Sequence, residues 1–520
     1  MSSGTRERLT PPASTPSEPV KAPSRRRAAL TTLGGTGATV AITVAQAFIL
    51  IPLCLTYLGS HLYGAWLGAS ELLIWLQLLD MGIPNVMTQR IGAAVGRNDE
   101  AAASAWASTG LWMLAAIGAG LAGLATVAAP AVAWWARVPA GESAAFASAF
   151  RIGAVASAML LWYFAVLGIS RGVQMTALVN VAQVTAALLA LAVSAALLVA
   201  GFGIYALALG LLTRALVSVI GAVIFLAQLR RSTGLSLGRP SRAVRGEIFG
   251  LAPSMAGANA GYLLANNSEV LLVTTLFGPV TATVYALTRR AIDGFRSLLD
   301  SIAWAVYGGF AHLVTADDRH RARAVLHEVL WLRLAAACLC GAVVLTVNQA
   351  FVTLLFGSEN FGGIWLTAGF AVQMILSGQA FLSNYLLRAA GQVREGSVLL
   401  AGEALVRVAA MVAGLAAFGL VGAPWAAAAV SAVLLVVMLR RLDRELPPSA
   451  MRSPERGIGS RLAPCAVLLL GGVLAFVGIP VTWTSVASFA ALVTVIGLAA
   501  FWWMLPPEVG NGSLLRWNRT

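Results

Sequence analysis

Apolar runs of about twenty residues or more alternate with short polar breaks from about residue 31 to residue 505. A run of that length crosses a ~30 Å hydrocarbon core as a helix. The pattern predicts fourteen spans, at about 31–53, 62–84, 104–130, 146–169, 176–200, 203–229, 247–275, 279–312, 326–355, 363–388, 394–418, 420–439, 461–480 and 482–505. Basic residues gather in every second break. With both termini cytoplasmic, the inside segments hold 27 of the 35 Lys and Arg, the outside loops hold only Arg137, and seven lie within spans. Such a bias sets the orientation of a polytopic chain, and losing one span would swap the side of every later loop. The expectation is an all-α integral protein of the cell inner (cytoplasmic) membrane, multi-pass, with both termini inside.

Composition sharpens this. Of 520 residues, 59% are hydrophobic and 11% charged, and the mean hydropathy is +0.82; a soluble domain carries roughly 25% charged residues. That excludes a soluble enzyme or a nucleic-acid binder, and on a membrane protein the net charge of +14 reports topology first. Cys54, Cys338, Cys340 and Cys465 sit in apolar segments without metal-ligand spacing and read as small apolar fillers. No cofactor is implied.

Residues 1–29, rich in Pro, Ser and Arg, read as a disordered basic cytoplasmic tail. Two longer Arg-rich stretches, 230–246 and 442–460, read as cytoplasmic linkers. They divide the chain into an N-lobe of six helices (30–229), a C-lobe of six (247–441), a final helix pair (461–505) and a cytoplasmic tail (506–520). A shift of about 219 residues lays the first lobe on the second: Leu58-Gly59 falls on Phe277-Gly278, Asp99 on Asp318, Trp112 on Trp331 and Gly172 on Gly391. Copies with an even number of helices share an orientation, so the lobes are expected to be related by an axis along the membrane normal, with a site where they meet.

Charges inside the spans are the candidate chemistry. In the eighth span Arg289, Asp293, Arg296 and Asp300 recur at i, i+4, i+7 and i+11 on one helical face, with Arg290 beside them. Each charge costs roughly 2.5–3.5 kcal/mol at a lipid-facing helix centre, so this face is expected to meet protein or water. A self-paired ladder accounts for part of it; a water-filled cavity accounts for the excess cation. Asn259, Tyr262, Asn266 and Glu269 form a wettable stripe on the seventh span. Glu71 and Asp80 lie on the second, Arg214 on the sixth, and Glu403 with Arg407 on the eleventh. Arg151, Arg333 and Arg388 are placed near span ends, where a long side chain reaches the interface. Arg289, Arg290, Asp293, Arg296, Asp300, Arg214, Arg407, Glu403, Asn259, Tyr262 and Asn266 are the expected cavity residues. Glu71, Asp80 and Glu269 are candidates for ion or proton coupling.

The stretch Tyr57-Leu58-Gly59…Tyr63-Gly64-Ala65-Trp66…Leu78-Leu79-Asp80-Met81-Gly82-Ile83-Pro84-Asn85 resembles the opening of the Wzx-type oligosaccharide flippases, polysaccharide transporters of the multidrug/oligosaccharidyl-lipid/polysaccharide exporter (MOP) superfamily. Glu269…Phe277-Gly278…Tyr285 is similar to the corresponding block of the second copy. The resemblance covers about residues 30–440. It implies a V-shaped, two-lobe bundle that moves an undecaprenyl-pyrophosphate-linked oligosaccharide (an O-antigen or exopolysaccharide repeat unit) to the outer leaflet by alternating access through an Arg-containing cavity. Implied partners are the lipid-linked sugar, membrane lipids and other polysaccharide-assembly membrane proteins, with no nucleic acid.

Three alternatives stand beside this reading. A multidrug or cation antiporter of the same superfamily would favour an acidic lumen, and the superfamily also holds lipid II flippases. A membrane-embedded glycosyltransferase or polysaccharide polymerase would need catalytic groups on outer loops. Only Glu142, Glu359 and His61 are available there, and they make no convincing acid–base pair.

Overall fold

A computed structural model of the chain describes residues 25–77, 80, 82–233, 235–250, 264, 267–315, 319–446, 458–475 and 480–504. Among these residues there is no strand. Eight helical stretches are long and apolar enough to cross a membrane, one of them (Val393–Glu445) comprising two helices joined by a 3-10 turn. The chain is a multi-pass helical membrane protein.

The N-lobe contains α1 (Arg25–Gln77), α2 (Ile83–Gly96), α3 (Glu100–Trp135), α4 (Ala140–Gly172), α5 (Ala177–Val199) and α6 (Tyr205–Thr233). After a short α7 (242–250) come α8 (Glu269–Phe277), α9 (Pro279–Thr315), α10 (Arg319–Phe356), α11 (Ile364–Ala389), α12 (Val393–Phe418) and α13 (Gly422–Glu445). The final pair is α14 (Ile458–Ala475) and α15 (Trp483–Met504), both laid against α10. Helix α1 begins at Arg25, inside the stretch expected to be tail.

The internal repeat is visible in the backbone. Helix α1 is two spans merged across a kink at Gly59, whose φ of 74° and ψ of 164° place it where L side chains rarely go. Its repeat partner Gly278, between α8 and α9, has φ 88° and ψ 174°. The same corner is therefore turned twice by glycine.

The copies differ one helix later. In the first, the motif around Asp80 breaks the span: Gly82 takes φ 70°, its N–H donates to Asp80 Oδ1 at 2.7 Å, and α2 restarts with Pro84 in its first turn. In the second, α9 runs unbroken over 37 residues.

The apolar cores lie mostly within one lobe, except that one of them also takes in Leu287, Val352 and Phe356 of α9 and α10. That core gathers Trp66, Phe146 and Phe150 with Val352 and Phe356 across the boundary, and another, within the N-lobe, gathers Ile91, Trp106, Tyr163 and Phe225. The C-lobe packs Tyr285, Phe370 and Met411 in one cluster and Phe310, Leu386 and Met438 in another. The connection out of α6 stays with the N-lobe. The N–H groups of Ser236, Gly238 and Ser241 donate to the hydroxyls of Ser104, Ser108 and Thr109 on α3 at 3.1, 2.9 and 2.9 Å. Leu235 and Ile248 are buried in the N-lobe core, and Glu247 pairs with Arg90 of α2. The principal helix contacts between lobes all involve α1, against α8, α9 and α10.

Candidate functional site

The ionic face of α9 enters the C-lobe and is neutralised in two steps along the helix, with a further ion pair on α12 beside it. The first centres on Glu269, which α8 holds 1% exposed. Its carboxylate accepts from Tyr285 Oη at 2.9 Å, from Arg289 Nη1 at 2.8 Å and from Gln373 Nε2 of α11. Arg289 Nε also donates to Asp293 Oδ2 at 3.0 Å, one turn on. A buried carboxylate with three donors is well stabilised, and removing one partner of such a pair costs about 3–5 kcal/mol.

The second step pairs Asp300 with Arg333 of α10, whose Nη2 donates to Asp300 Oδ1 at 2.9 Å. Arg333 is 0% exposed, which corrects the expectation of a side chain reaching the interface from a span end. Because α10 starts at Arg319, fourteen residues at 1.5 Å each put Arg333 about 21 Å along the helix. The clue lay in the basic run before the apolar segment, which is already helical.

The ion pair beside that face is Glu403 with Arg407 on α12, both buried. Arg407 Nε donates to Glu403 Oε1 at 2.7 Å and Nη2 donates to Ser377 Oγ at 3.1 Å and to Ser431 Oγ. Between these pairs lies a cavity of about 30 Å³ lined by Arg296, Asp300, Ser377, Glu403 and Arg407. A second of about 10 Å³ is lined by Arg289, Asp293, Arg296, Gln373 and Ser377. Voids of these sizes hold about two waters and one water. Sequence reading passed over the partners Ser431 and Arg333, which carry no periodic pattern with α9.

Two groups stand at the junction with the N-lobe. Glu71 of α1 lies within electrostatic reach of Arg289, Asp293, Glu269 and Arg296, and among the described residues its buried Oε2 has no hydrogen-bond partner. Arg290, half-buried, is turned about 100° around α9 from Arg289 and interacts electrostatically with Tyr63 of α1 and with Asp293. Among the described residues it makes no hydrogen bond or ion pair.

The remaining candidates lie apart. Arg214 of α6 sits within the N-lobe, in electrostatic reach of Tyr163 on α4. Asp80 caps the helix break, accepting from Gly82 N–H. Asn259, Tyr262 and Asn266 fall outside the described residues. Of the expected set, Arg289, Asp293, Glu269 and Glu71 converge on one cluster, and Arg296, Asp300, Glu403 and Arg407 on the adjoining cavity.

Comparison with known proteins adds two findings. Residues 79–367 match a family described as polysaccharide biosynthesis proteins. No curated protein matches the chain. Among solved structures, a MATE transporter from Vibrio cholerae superposes with a TM-score of 0.60 at 14% identity, covering 81% of this chain and 97% of that one. An inward-facing multidrug resistance MATE family transporter of the MOP superfamily gives 0.58 at 15% identity, covering 79% and 94%. A MOP superfamily transporter from Pyrococcus furiosus, described as having a binding pocket of reversed polarity that suggests a different function, gives 0.58 at 15%, covering 81% and 95%. At these identities the likeness is one of fold.

Proposed function

The chain belongs to the family of polysaccharide biosynthesis proteins, which it matches over more than half its length, and from that premise we propose that it flips an undecaprenyl-pyrophosphate-linked oligosaccharide across the inner membrane. The observation that carries the reading is the division of the α9 arginines. Arg289 is committed to carboxylates inside the C-lobe, whereas Arg290, on the side toward α1, makes no ion pair among the described residues. A guanidinium without a counter-ion at membrane depth is stabilised by facing a hydrated gap and an anionic ligand. Its planar fork suits the two oxygens of a phosphate.

Sugars and a diphosphate do not cross hydrocarbon unaided. Two lobes joined through α1 offer a polar passage for the head group while the prenyl tail stays in lipid. Under the orientation set by the Arg-rich loops, both termini are cytoplasmic and the lobes are joined at the outer end. The head group then loads from the cytoplasm, where it is made. Outward movement of an anion is favoured by ~2.3 kcal/mol per charge per 100 mV of inside-negative potential. The reading is transport, not catalysis.

The test is export in a strain lacking its own polysaccharide flippase, with Arg290→Ala and Arg290→Lys variants at equal membrane level. The expected result is loss of export in Arg290→Ala and partial retention in Arg290→Lys. Normal export by Arg290→Ala overturns the assignment. A second reading, cation antiport, is favoured by one observation, the unpartnered carboxylate oxygen of Glu71. Resistance to cationic dyes that disappears in Glu71→Gln would select it.

A further inference from the structure

The segment that leaves α6 is absorbed neither by the charged cluster nor by the contact between lobes. It is laid along the first turns of α3, where the backbone N–H groups of Ser236, Gly238 and Ser241 donate to Ser104, Ser108 and Thr109. The 36 residues of α3 start at Glu100 and measure about 54 Å, about 24 Å more than the ~30 Å hydrocarbon core. With the excess shared between its ends, each end projects about 12 Å into the headgroup region. The three hydroxyls stand about 6, 12 and 13.5 Å along the helix, so the segment lies at headgroup level. A backbone N–H near the hydrocarbon needs a fixed acceptor, and the hydroxyls of α3 supply it.

Helix α7 then presents two different faces. Val244 and Ile248, one turn apart, pack into the core of Ile91 and Phe225, and Glu247 pairs with Arg90 of α2. Around the helix from them, Arg242, Arg245 and Phe249 recur at i, i+3 and i+7, all exposed, and Leu237 and Arg239 are exposed just before. Among the described residues Arg239, Arg242 and Arg245 make no hydrogen bond or ion pair. Basic side chains interleaved with exposed apolar ones are the composition of a segment that rests in a bilayer interface.

We propose that residues 237–249 form a binding site for anionic phospholipid headgroups of the cytoplasmic leaflet. Arg239, Arg242 and Arg245 donate to the phosphate oxygens, for which a planar guanidinium fork is suited, and Leu237 and Phe249 enter the acyl boundary. The site follows from the orientation in which α6 ends on the cytoplasmic side, where the anionic surface attracts basic segments next to spans. It does not depend on the transported substrate. Three guanidinium groups without counter-ions favour a lipid of net negative charge over one whose phosphate is neutralised by its own ammonium. The anchoring of Val244, Glu247 and Ile248 to the N-lobe fixes the arginines before a lipid arrives, which lowers the ordering cost of binding.

The test is titration of the delipidated full-length protein in detergent with phosphatidylglycerol, bound lipid being counted by native mass spectrometry. One variant combines Arg239→Gln, Arg242→Gln and Arg245→Gln. A reference variant removes the same charge from exposed arginines of the C-lobe, Arg394→Gln, Arg440→Gln and Arg444→Gln. Affinity is expected to fall at least about tenfold in the first variant and to be unchanged in the second. Equal weakening in both variants, or phosphatidylcholine bound as tightly as phosphatidylglycerol, overturns the proposal. Displacement of the lipid by millimolar inorganic phosphate would assign the site to free phosphate and overturns it too. In phosphatidylglycerol nanodiscs, with the native cysteines replaced, a fluorophore at Phe249→Cys is expected to be quenched by a lipid-borne quencher. Quenching by aqueous iodide alone overturns the placement of this segment in the interface.

Discussion

Arg333 lies flat against Gly378: a β-carbon at position 378 would sit 1.6 Å from Arg333 Nη2 and 2.2 Å from its Cζ. The guanidinium that neutralises Asp300 therefore occupies space that only a glycine leaves open. Gly378→Ala is expected to displace it, leaving two buried charges apart at a cost of about 3–5 kcal/mol. A fall in the thermal midpoint of the detergent-solubilised protein measures this, and a midpoint within a degree of the parent would refute the account.

The same pair gives a double-mutant cycle. Arg333→Met and Asp300→Asn alone each leave a charge without its counter-ion, whereas the double substitution removes both. The double variant is expected to be more stable than Arg333→Met by about 2 kcal/mol or more, since an apolar replacement of a buried pair is often neutral. Additive losses would show that the two side chains do not act as a pair.

Glu269→Gln is expected to be among the most damaging single changes. Its carboxylate accepts from Tyr285, Arg289 and Gln373, and an amide leaves Arg289 with Asp293 alone of its two paired carboxylates. The expectation is a loss of about 3 kcal/mol or more, read as reduced membrane abundance and a lowered midpoint. By contrast, Arg290→Ala breaks no ion pair among the described residues and is expected to change stability by less than about 0.5 kcal/mol while abolishing export. A stability loss in Arg290→Ala equal to that of Glu269→Gln would mean that Arg290 is structural.

Gly82→Ala probes the broken helix of the first lobe. Its φ of 70° costs an L residue roughly 1–2 kcal/mol, and Asp80→Ala removes the acceptor for its N–H at about 1 kcal/mol. Each is expected to lower the midpoint modestly, and together by less than the sum of the two, because one turn contains both. Full additivity would separate Asp80 from the break.

Much of this architecture is legible in the chain because its cause is local. Apolar runs long enough for a bilayer and glycines at repeated corners each leave a mark within a few residues. The ionic face of α9 was legible for the same reason, since a 3.6-residue period places Arg289, Asp293, Arg296 and Asp300 together. Periodicity does not say which helix that face meets. The sequence pattern suggested a gap between lobes, whereas Glu269, Arg333 and the residues around Arg407 answer it within the C-lobe. Arg333 was misplaced because α10 extends beyond its apolar segment, and the reach of a helix past its hydrophobic core is fixed by packing. Arg290 points the other way because one residue turns a helix by about 100°, a distinction too fine for pattern alone.

The unequal second helices of the two repeats have a mechanical consequence. A rod without interruption transmits a tilt along its whole length, so α9 carries its row of charges as one rigid unit. The Asp80–Gly82 corner interrupts the matching segment of the first copy, and α2 beyond it is anchored to α4 by Thr88 Oγ1 donating to the Gly168 carbonyl. Duplication thus supplied two similar levers, of which one kept a joint and the other became the bearing surface.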